Sequence, residues 1–268
     1  MIELFEKDLQ ENNWKSSKGN QLKWQTGGSW YKADYLGYEG LSEYIVSHLL
    51  GKSSLSPQEY VLYEPEVIRY KNSTMKGAKS LDFLDGKRQI ITLERLFDTR
   101  YHCSFYKSVF SIADHRERLR FLIDKTIQMT GLKEFAVYMS KLLTVDALFL
   151  NEDRHLHNIA VLMDEQGRFD YCPLFDFGAS LLSDTRLDYP PGGDVYEYIA
   201  SAKAKTICDS FQEQVEIAEE MTGQVIRFDF SLRDVEELTD KAGVYGDAEK
   251  TRVKTIIAEQ RRRYAYLF

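Results

Sequence analysis

The sequence has few cysteines, and they are not paired. Cys103, Cys172 and Cys208 are odd in number and far apart, and no CxxC pair occurs among them. This pattern excludes a disulfide framework and contains no spacing typical of zinc or redox motifs. We therefore expect reduced, mostly buried thiols in a cytoplasmic protein.

Long apolar runs and an excess of positive charge are also absent. No run approaches the roughly 18 apolar residues that a membrane-spanning helix needs. The first ten residues, MIELFEKDLQ, are charged from the third onward, so we expect a soluble, unprocessed chain without membrane contact. The 42 acidic residues outnumber the 35 basic ones and give a net charge of -7. We therefore expect no direct binding of nucleic acid through bulk charge.

The first part of the chain is rich in β-forming residues. Short β-prone runs in residues 12–36 are separated by SSKGN and TGGS, which predicts three antiparallel strands. We assign TGGS, between the second and third strands, to a hairpin turn. The next segment, GLSEYIVSHLLG, carries apolar residues at helical spacing and ends at Gly51. This spacing predicts one helix after the strands.

The remainder of the chain is mainly helical in pattern. Residues 132–150, LKEFAVYMSKLLTVDALFL, are apolar on nearly every face, which predicts a central buried helix. Residues 89–97, QIITLERLF, begin like a buried strand and then become polar, so they are a candidate hinge. We expect an α+β fold of two lobes. Residues 1–98 would form an N-terminal antiparallel sheet with one main helix, and residues 99–268 a mostly helical C-terminal lobe.

Three polar residues follow the apolar helix in an order suited to phosphoryl transfer. Asp153 and Asn158 lie five residues apart in NEDRHLHN, and Asp176 opens a DFG sequence beyond a predicted hairpin. Such transfer needs a carboxylate that orients or deprotonates the acceptor hydroxyl, and oxygen ligands for Mg²⁺. Protein kinases supply these groups in this order and spacing, which predicts a protein-kinase-like cleft. In the alternative interpretation, Asp153 caps a helix and Asn158 satisfies a turn.

An ATP site also needs a cation for the phosphates, usually a strand lysine held by a helix acid. WYKAD places Lys32 in the third predicted strand, and the following helix offers Glu43 or, one turn earlier, Glu39. The loop SSKGN could bind phosphates through its backbone N–H groups, although it lacks G-x-G-x-x-G. In the alternative interpretation, Lys32 is an edge-strand lysine and Glu43 a solvent-facing acid.

The two histidines of NEDRHLHN raise the alternative of a metal centre with Asp153. His155 and His157 lie two residues apart, no cysteine is near, and the other three histidines are scattered. This pattern does not favour zinc. We expect His155 to pack under the loop and His157 to be exposed.

These motifs resemble those of the HipA-like bacterial serine/threonine kinases. NEDRHLHN matches the family's N-x-D-x-H-x-x-N loop, and LFDFG follows it. SSKGNQLK is similar to the family's S-x-x-G-x-Q-x-K phosphate loop, and ERLFD to its E-R-F-D hinge with one extra residue, Leu96. The similarity covers roughly residues 14–180. More distantly, D-R-H-x-x-N before DFG is similar to the phosphatidylinositol kinases.

The resemblance implies a role for each matching residue. Asp153 would be the catalytic base, with His155 able to assist proton transfer as in lipid kinases, and Asn158 and Asp176 would bind Mg²⁺. The remaining matches imply ATP contacts through the phosphate loop, the lysine and its acid, and the hinge backbone: Ser16, Ser17, Gly19, Lys23, Lys32, Glu43, Glu94, Leu96 and Phe97. Ser16, with Ser17 beside it, matches a serine that such kinases autophosphorylate, and an antitoxin is an implied partner.

Two features depart from the patterns of these families. Only about fifteen residues precede the phosphate loop, where many HipA proteins carry an additional subdomain, and no A-P-E follows the DFG.

We predict an ATP- and Mg²⁺-dependent kinase that phosphorylates Ser/Thr hydroxyls on protein. Two alternatives stay open, a lipid or small-molecule kinase on the same scaffold and a non-catalytic nucleotide-binding or antitoxin-interacting module.

Overall fold

A computed structural model describes residues 1–10, 21–84 and 86–268. In these residues the N-terminal part forms a five-stranded sheet with the strand order β1-β4-β5-β3-β2. Its pairs are antiparallel except that β1 lies parallel to β4 at one edge. The predicted antiparallel sheet is thus confirmed apart from β1, and the first of the three predicted strands, before SSKGN, lies outside the described residues. The strands are β1 (Ile2–Leu4), β2 (Lys23–Thr26), β3 (Ser29–Ala33), β4 (Tyr63–Tyr70) and β5 (Ser73–Leu81).

The turn between β2 and β3 has the geometry that TGGS predicts. Gly27 and Gly28 have φ angles of 58° and 71°, a left-handed conformation that glycine adopts without a Cβ clash. A two-residue turn with both angles positive is typical of tight hairpins. It sets the register that places Lys23 opposite Lys32. Directly opposed residues in a strand pair lie on the same face of the sheet.

The predicted helix after the strands is α1 (Glu39–Leu50), and it packs against β4 and β5. The helix ends at Gly51 as expected, with an ordinary right-handed φ of -63°. Both its apolar residues and Glu43 are buried. A buried acid in this position requires a partner, because an unpaired charge away from water is costly.

A second sheet, β6-β7-β8, joins residues from both sides of the expected boundary at residue 98. It consists of β6 (Arg88–Thr92), β7 (Ala160–Asp164) and β8 (Phe169–Tyr171). The chain then continues from β6 directly into α2 (Leu93–Tyr101), where the Thr92 side chain accepts a hydrogen bond from the Arg95 N–H as a cap. The expected boundary at residue 98 therefore lies inside a helix. The change from one sheet to the other falls between Leu81 and Arg88.

The other helices form the C-terminal part around α5, the apolar helix predicted at residues 132–150. α5 is buried along most of its length and contacts α4, α7 and α9. The apolar core is continuous from α1 to α9. No helix in the described residues is long and apolar enough to span a membrane. These helices are α3 (Phe105–Phe110), α4 (His115–Thr130), α5 (Phe135–Phe149), α6 (Val195–Ser201), α7 (Phe211–Thr222), α8 (Leu232–Lys241) and α9 (Asp247–Arg263).

Candidate active site

The NEDRHLHN loop leaves the end of α5 and is organised around a buried arginine. Arg154 is only 2 % exposed, and its Nε lies 2.9 Å from Asp146 Oδ2 in α5. Its Nη1 donates to the carbonyl oxygens of Asn158 at 3.0 Å and Phe175 at 2.9 Å. One guanidinium therefore connects α5, the loop and the segment that precedes DFG. Five fixed donors suit arginine to this role.

Asn151, the first residue of the loop, adds to the same connections. Its Nδ2 donates to Asp146 Oδ1 at 2.8 Å and to the Asp176 carbonyl at 3.4 Å. The Asn151 Oδ1 accepts from the Asp153 N–H at 3.3 Å. The backbone around Asp153 is thus held by side chains rather than by a helix or strand.

The Asp153 carboxylate is surrounded by an amide, an imidazole and an ammonium. Asn158 Nδ2 lies 3.3 Å from Asp153 Oδ2, while His155 Nε2 and Lys205 Nζ lie 3.7 and 3.8 Å from Asp153 Oδ1. His157 is exposed, as expected. In the described part of the chain, Asp153, His155 and His157 do not form a three-ligand metal group.

Lys32 lies between two carboxylates that come from α1 and from DFG. Its Nζ is 2.6 Å from Glu43 Oε1 and 2.7 Å from Asp176 Oδ1. The other Glu43 oxygen accepts from the Phe177 N–H at 2.8 Å. Of the two acids left open by the sequence, Glu43 pairs with Lys32. Glu39 instead accepts the Leu36 N–H at 2.6 Å, just before α1.

The charges in this cluster set the protonation of its members. Burial alone would raise the pKa of Asp176, but the charge of Lys32, with that of Lys23, holds the pKa well below its usual range. Burial likewise opposes the charged form of Lys32, but Asp176 and Glu43 raise its pKa. Burial raises the pKa of Glu43. The lysine and Asp176 therefore form an ion pair at neutral pH.

The DFG backbone has a conformation that few residues adopt. Asp176 has a φ of 64°, in the left-handed region that Asp and Asn tolerate better than other non-glycine residues. The Phe177 ring is buried, with its centroid 6.4 Å from that of Tyr63. Together with the Glu43 bond to the Phe177 N–H, this packing turns the Asp176 side chain towards Lys32.

The structure does not bring the expected hinge residues to this cluster. Glu94, Leu96 and Phe97 lie in α2, and the Glu94 N–H donates to the Leu156 carbonyl at 3.3 Å. The Glu94 carboxylate accepts the Tyr106 N–H at 2.7 Å, and the Phe97 ring stacks on Phe105 at 4.2 Å. The expected backbone contact of these residues with adenine stays a prediction from the sequence. Ser16, Ser17 and Gly19 lie outside the described residues, whereas Lys23 lies beside Lys32.

Three contributors to the site were missed by the sequence patterns. Arg154 and Asp146 form its buried ion pair, and Lys205 comes from the segment after α6. Asp146 carried a signal, because it is the one acid in the apolar stretch LLTVDALFL. A buried acid in such a stretch needs a cationic partner. Lys205 carried none, because the residues around it form no motif.

The comparisons with known proteins agree with this arrangement at the level of the fold. No protein-family model and no curated protein matches the sequence. The crystal structure of the Helicobacter pylori proinflammatory kinase CtkA matches with a TM-score of 0.62 and 14% identity, over 98% of this chain and 95% of that chain. The chain has a kinase-like fold.

A second solved structure also matches. It is HipA from the Shewanella oneidensis MR-1 toxin–antitoxin system, solved in complex with HipB and operator DNA. The TM-score is 0.46 at 12% identity, and the match covers 97% of this chain and 63% of that chain. The assignment of the fold rests on CtkA.

Proposed function

We propose that this protein is an ATP- and Mg²⁺-dependent kinase that transfers a γ-phosphoryl group to a protein Ser/Thr hydroxyl. The observation that carries the proposal is the placement of Lys32 between Glu43 and Asp176. Arg154 joins this cluster to the loop that bears Asp153 and Asn158. A lysine, its helix acid, a loop Asp–Asn pair and a DFG acid are the parts that phosphoryl transfer by a kinase requires.

The residues present fit Mg²⁺, which prefers oxygen ligands. Asn158 donates to Asp153 through its Nδ2, which leaves its Oδ1 as the atom for the metal. The Asp176 carboxylate supplies the second protein ligand. When bound, Mg²⁺ neutralises charge on the phosphates. Lys32 would contact the phosphates while Glu43 keeps it in position, and Lys23 adds positive charge beside it.

Asp153 would orient and deprotonate the acceptor hydroxyl. His155 is placed to support it, because burial, opposed by the charge of Asp153, lowers the pKa of His155. His155 is therefore neutral at pH 7 and can accept or donate one hydrogen bond beside Asp153.

The adenine contact is best assigned to the segment between the two sheets. This segment begins where β5 ends at Leu81, and β5 is the neighbour of the strand that carries Lys32. The Asp82 N–H donates to the Gly28 carbonyl, and the Phe83 ring lies 6.3 Å from the Phe175 ring. These contacts hold Asp82 against the β2–β3 turn and Phe83 against the residues that precede DFG. A connection of this kind lies where kinases bind the adenine edge.

The test is transfer of label from γ-labelled ATP by purified protein. We expect label on the protein itself or on a mixed protein acceptor, and its loss when EDTA removes Mg²⁺. Label on phosphoinositide vesicles but not on protein would favour the lipid-kinase alternative. Tight ATP binding without transfer would favour a nucleotide-binding module.

Autophosphorylation at Ser16 or Ser17 and an antitoxin partner stay predictions from the sequence.

Lys205 gives a prediction within this proposal. Its Nζ lies 3.8 Å from Asp153 Oδ1 and is placed to attract the phosphoryl group during transfer. We expect Lys205→Ala to lower kcat by about tenfold or more, since one lost electrostatic partner can cost about 10²-fold and Lys205 is partly exposed. Steady-state transfer rates measure the effect.

Lys203→Ala is the matched control, because Lys203 is two residues away and its ammonium pairs with exposed Asp209 at 3.2 Å. It should behave like the unaltered protein. Equal rates for the two variants would remove Lys205 from the proposed site.

A further inference from the structure

Three potential metal ligands meet at a point that the proposed kinase chemistry does not use. They are His115 at the start of α4, Cys208 just before α7, and Glu213 in the first turn of α7. Their ligand atoms all lie within 4.8 Å of one another, and His115 Nδ1 is 2.6 Å from Glu213 Oε1. Among the described residues, no other three His, Cys, Asp or Glu side chains bring their ligand atoms this close together.

The three side chains suit one class of ion. A thiolate, an imidazole and a carboxylate together match Zn²⁺, which accepts sulfur, nitrogen and oxygen ligands in a tetrahedral arrangement. The thiolate and carboxylate would also balance the two positive charges. With Zn–S near 2.3 Å and Zn–N and Zn–O near 2.0–2.2 Å, ligand atoms lie about 3.3–3.7 Å apart. The observed spacing therefore needs only small side-chain rotations.

The backbone around these ligands is already held in place. The Ser210 hydroxyl accepts the Glu213 N–H at 3.2 Å and caps α7. The Gln214 Oε1 accepts the Ile207 N–H at 2.8 Å, and Arg118 donates to the Ile207 carbonyl. Outer contacts of this kind fix the positions of metal ligands. Cys208 and Glu213 are thereby presented on a rigid turn next to α4.

We propose that His115, Cys208 and Glu213 bind a Zn²⁺ ion, with water as the fourth ligand. Binding forms the Zn–S bond as the Cys208 thiol releases its proton to solvent. Before binding that thiol is protonated at pH 7, because burial and the charges of Glu213 and Asp209 raise its pKa to about 11. The ion joins α4 to α7 and to the segment between α6 and α7.

That segment also reaches the candidate active site. The Thr206 hydroxyl donates to the Arg154 carbonyl at 2.7 Å, and Lys205 lies beside Asp153. The Zn²⁺ site would therefore hold a segment that contacts the NEDRHLHN loop. Its role is structural, since none of its ligands contacts the reacting groups.

The experiment titrates Co²⁺ and then Zn²⁺ into metal-stripped full-length protein without ATP, so its outcome is independent of kinase activity. Co²⁺ should produce a thiolate-to-cobalt charge-transfer band and the visible bands of tetrahedral cobalt, and Zn²⁺ should abolish both. Zn²⁺ should also raise Tm. Cys208→Ser should weaken Zn²⁺ binding by more than about 100-fold, since even outer contacts contribute 10–100-fold.

Cys103→Ser is the matched control, because Cys103 is an exposed cysteine outside the cluster. It should keep the cobalt spectrum. Glu213→Gln provides a second variant in case Cys208→Ser does not fold, and it should weaken Zn²⁺ binding with the charge-transfer band retained at high Co²⁺. Absence of the charge-transfer band from the unaltered protein would overturn the site, as would equal Zn²⁺ affinities of the Cys208→Ser and Cys103→Ser variants.

Discussion

Phosphoryl transfer is expected to fall by at least about 10²-fold when either Asp153 or Asp176 is replaced by asparagine. Both substitutions keep the shape of the side chain and remove its charge. At position 176 asparagine also tolerates the φ of 64° that the backbone adopts there. The loss should therefore reflect chemistry and not unfolding. Transfer from γ-labelled ATP measures the rate, and circular dichroism checks the fold.

The two variants should lose phosphoryl transfer for different reasons. Asp153→Asn removes the base, so kcat should fall while ATP binding is kept. Asp176→Asn removes a metal ligand and the partner of Lys32, so it should also raise the Mg²⁺ concentration required for half-maximal rate. A Mg²⁺ titration of each variant separates the two roles.

Asp170→Asn provides the control, because Asp170 is an exposed acid on β8, in the hairpin between the loop and DFG. We expect it to retain full activity. If Asp153→Asn and Asp176→Asn label acceptors at the same rate as Asp170→Asn, the catalytic assignment of both residues fails.

The largest expected effect on stability comes from Arg154. Replacing it with methionine leaves the buried Asp146 carboxylate without its cation, and breaking a buried ion pair in this way costs about 3–5 kcal/mol. For a chain of this size we expect Tm to fall by roughly 10 °C. Thermal unfolding followed by circular dichroism measures the change.

A double variant separates the buried charge from the positioning of the loop. Asp146→Leu combined with Arg154→Met removes both charges, so it should be more stable than Arg154→Met alone. Activity should stay low, because the carbonyl groups of Asn158 and Phe175 have still lost their donor. Recovery of both stability and activity would show that Arg154 does not position the site.

Arg168→Met is the control for the loss of an arginine. Arg168 is exposed in the turn of the same hairpin and pairs with Asp164 at 2.7 Å. Surface pairs contribute only about 0–1 kcal/mol, so its Tm should change little. A similar fall in Tm for Arg154→Met and Arg168→Met would mean that the buried pair is not important for stability.

Local patterns predicted the parts of the fold that neighbouring residues determine. The TGGS hairpin, α1 and the buried helix α5 all lie where apolar spacing and turn residues placed them. The spacing of apolar residues and the requirement for glycine at positive φ each involve only a few neighbouring residues. Both can therefore be recognised within one segment. The order Asp153, Asn158 and Asp176 is likewise a local signal.

The structure of the expected hinge depends on a distant strand. QIIT has the composition of a strand, as predicted, but its partner is β7, which follows the NEDRHLHN loop. That pairing, with Thr92 as a helix cap, turns Glu94, Leu96 and Phe97 into helical residues. Composition indicates that a segment can form a strand and not which strand it will pair with.

The sequence by itself determined the lobed α+β pattern and the order of Asp153, Asn158 and Asp176 along the chain. Only the tertiary structure decided which side chains meet: Glu43 rather than Glu39 at Lys32, Asp146 at Arg154, and His115 with Cys208 and Glu213. In the sequence Cys208 is one of three scattered cysteines without a metal motif. Such groups form when separate segments pack to bury apolar surface, and no local rule of spacing encodes that packing.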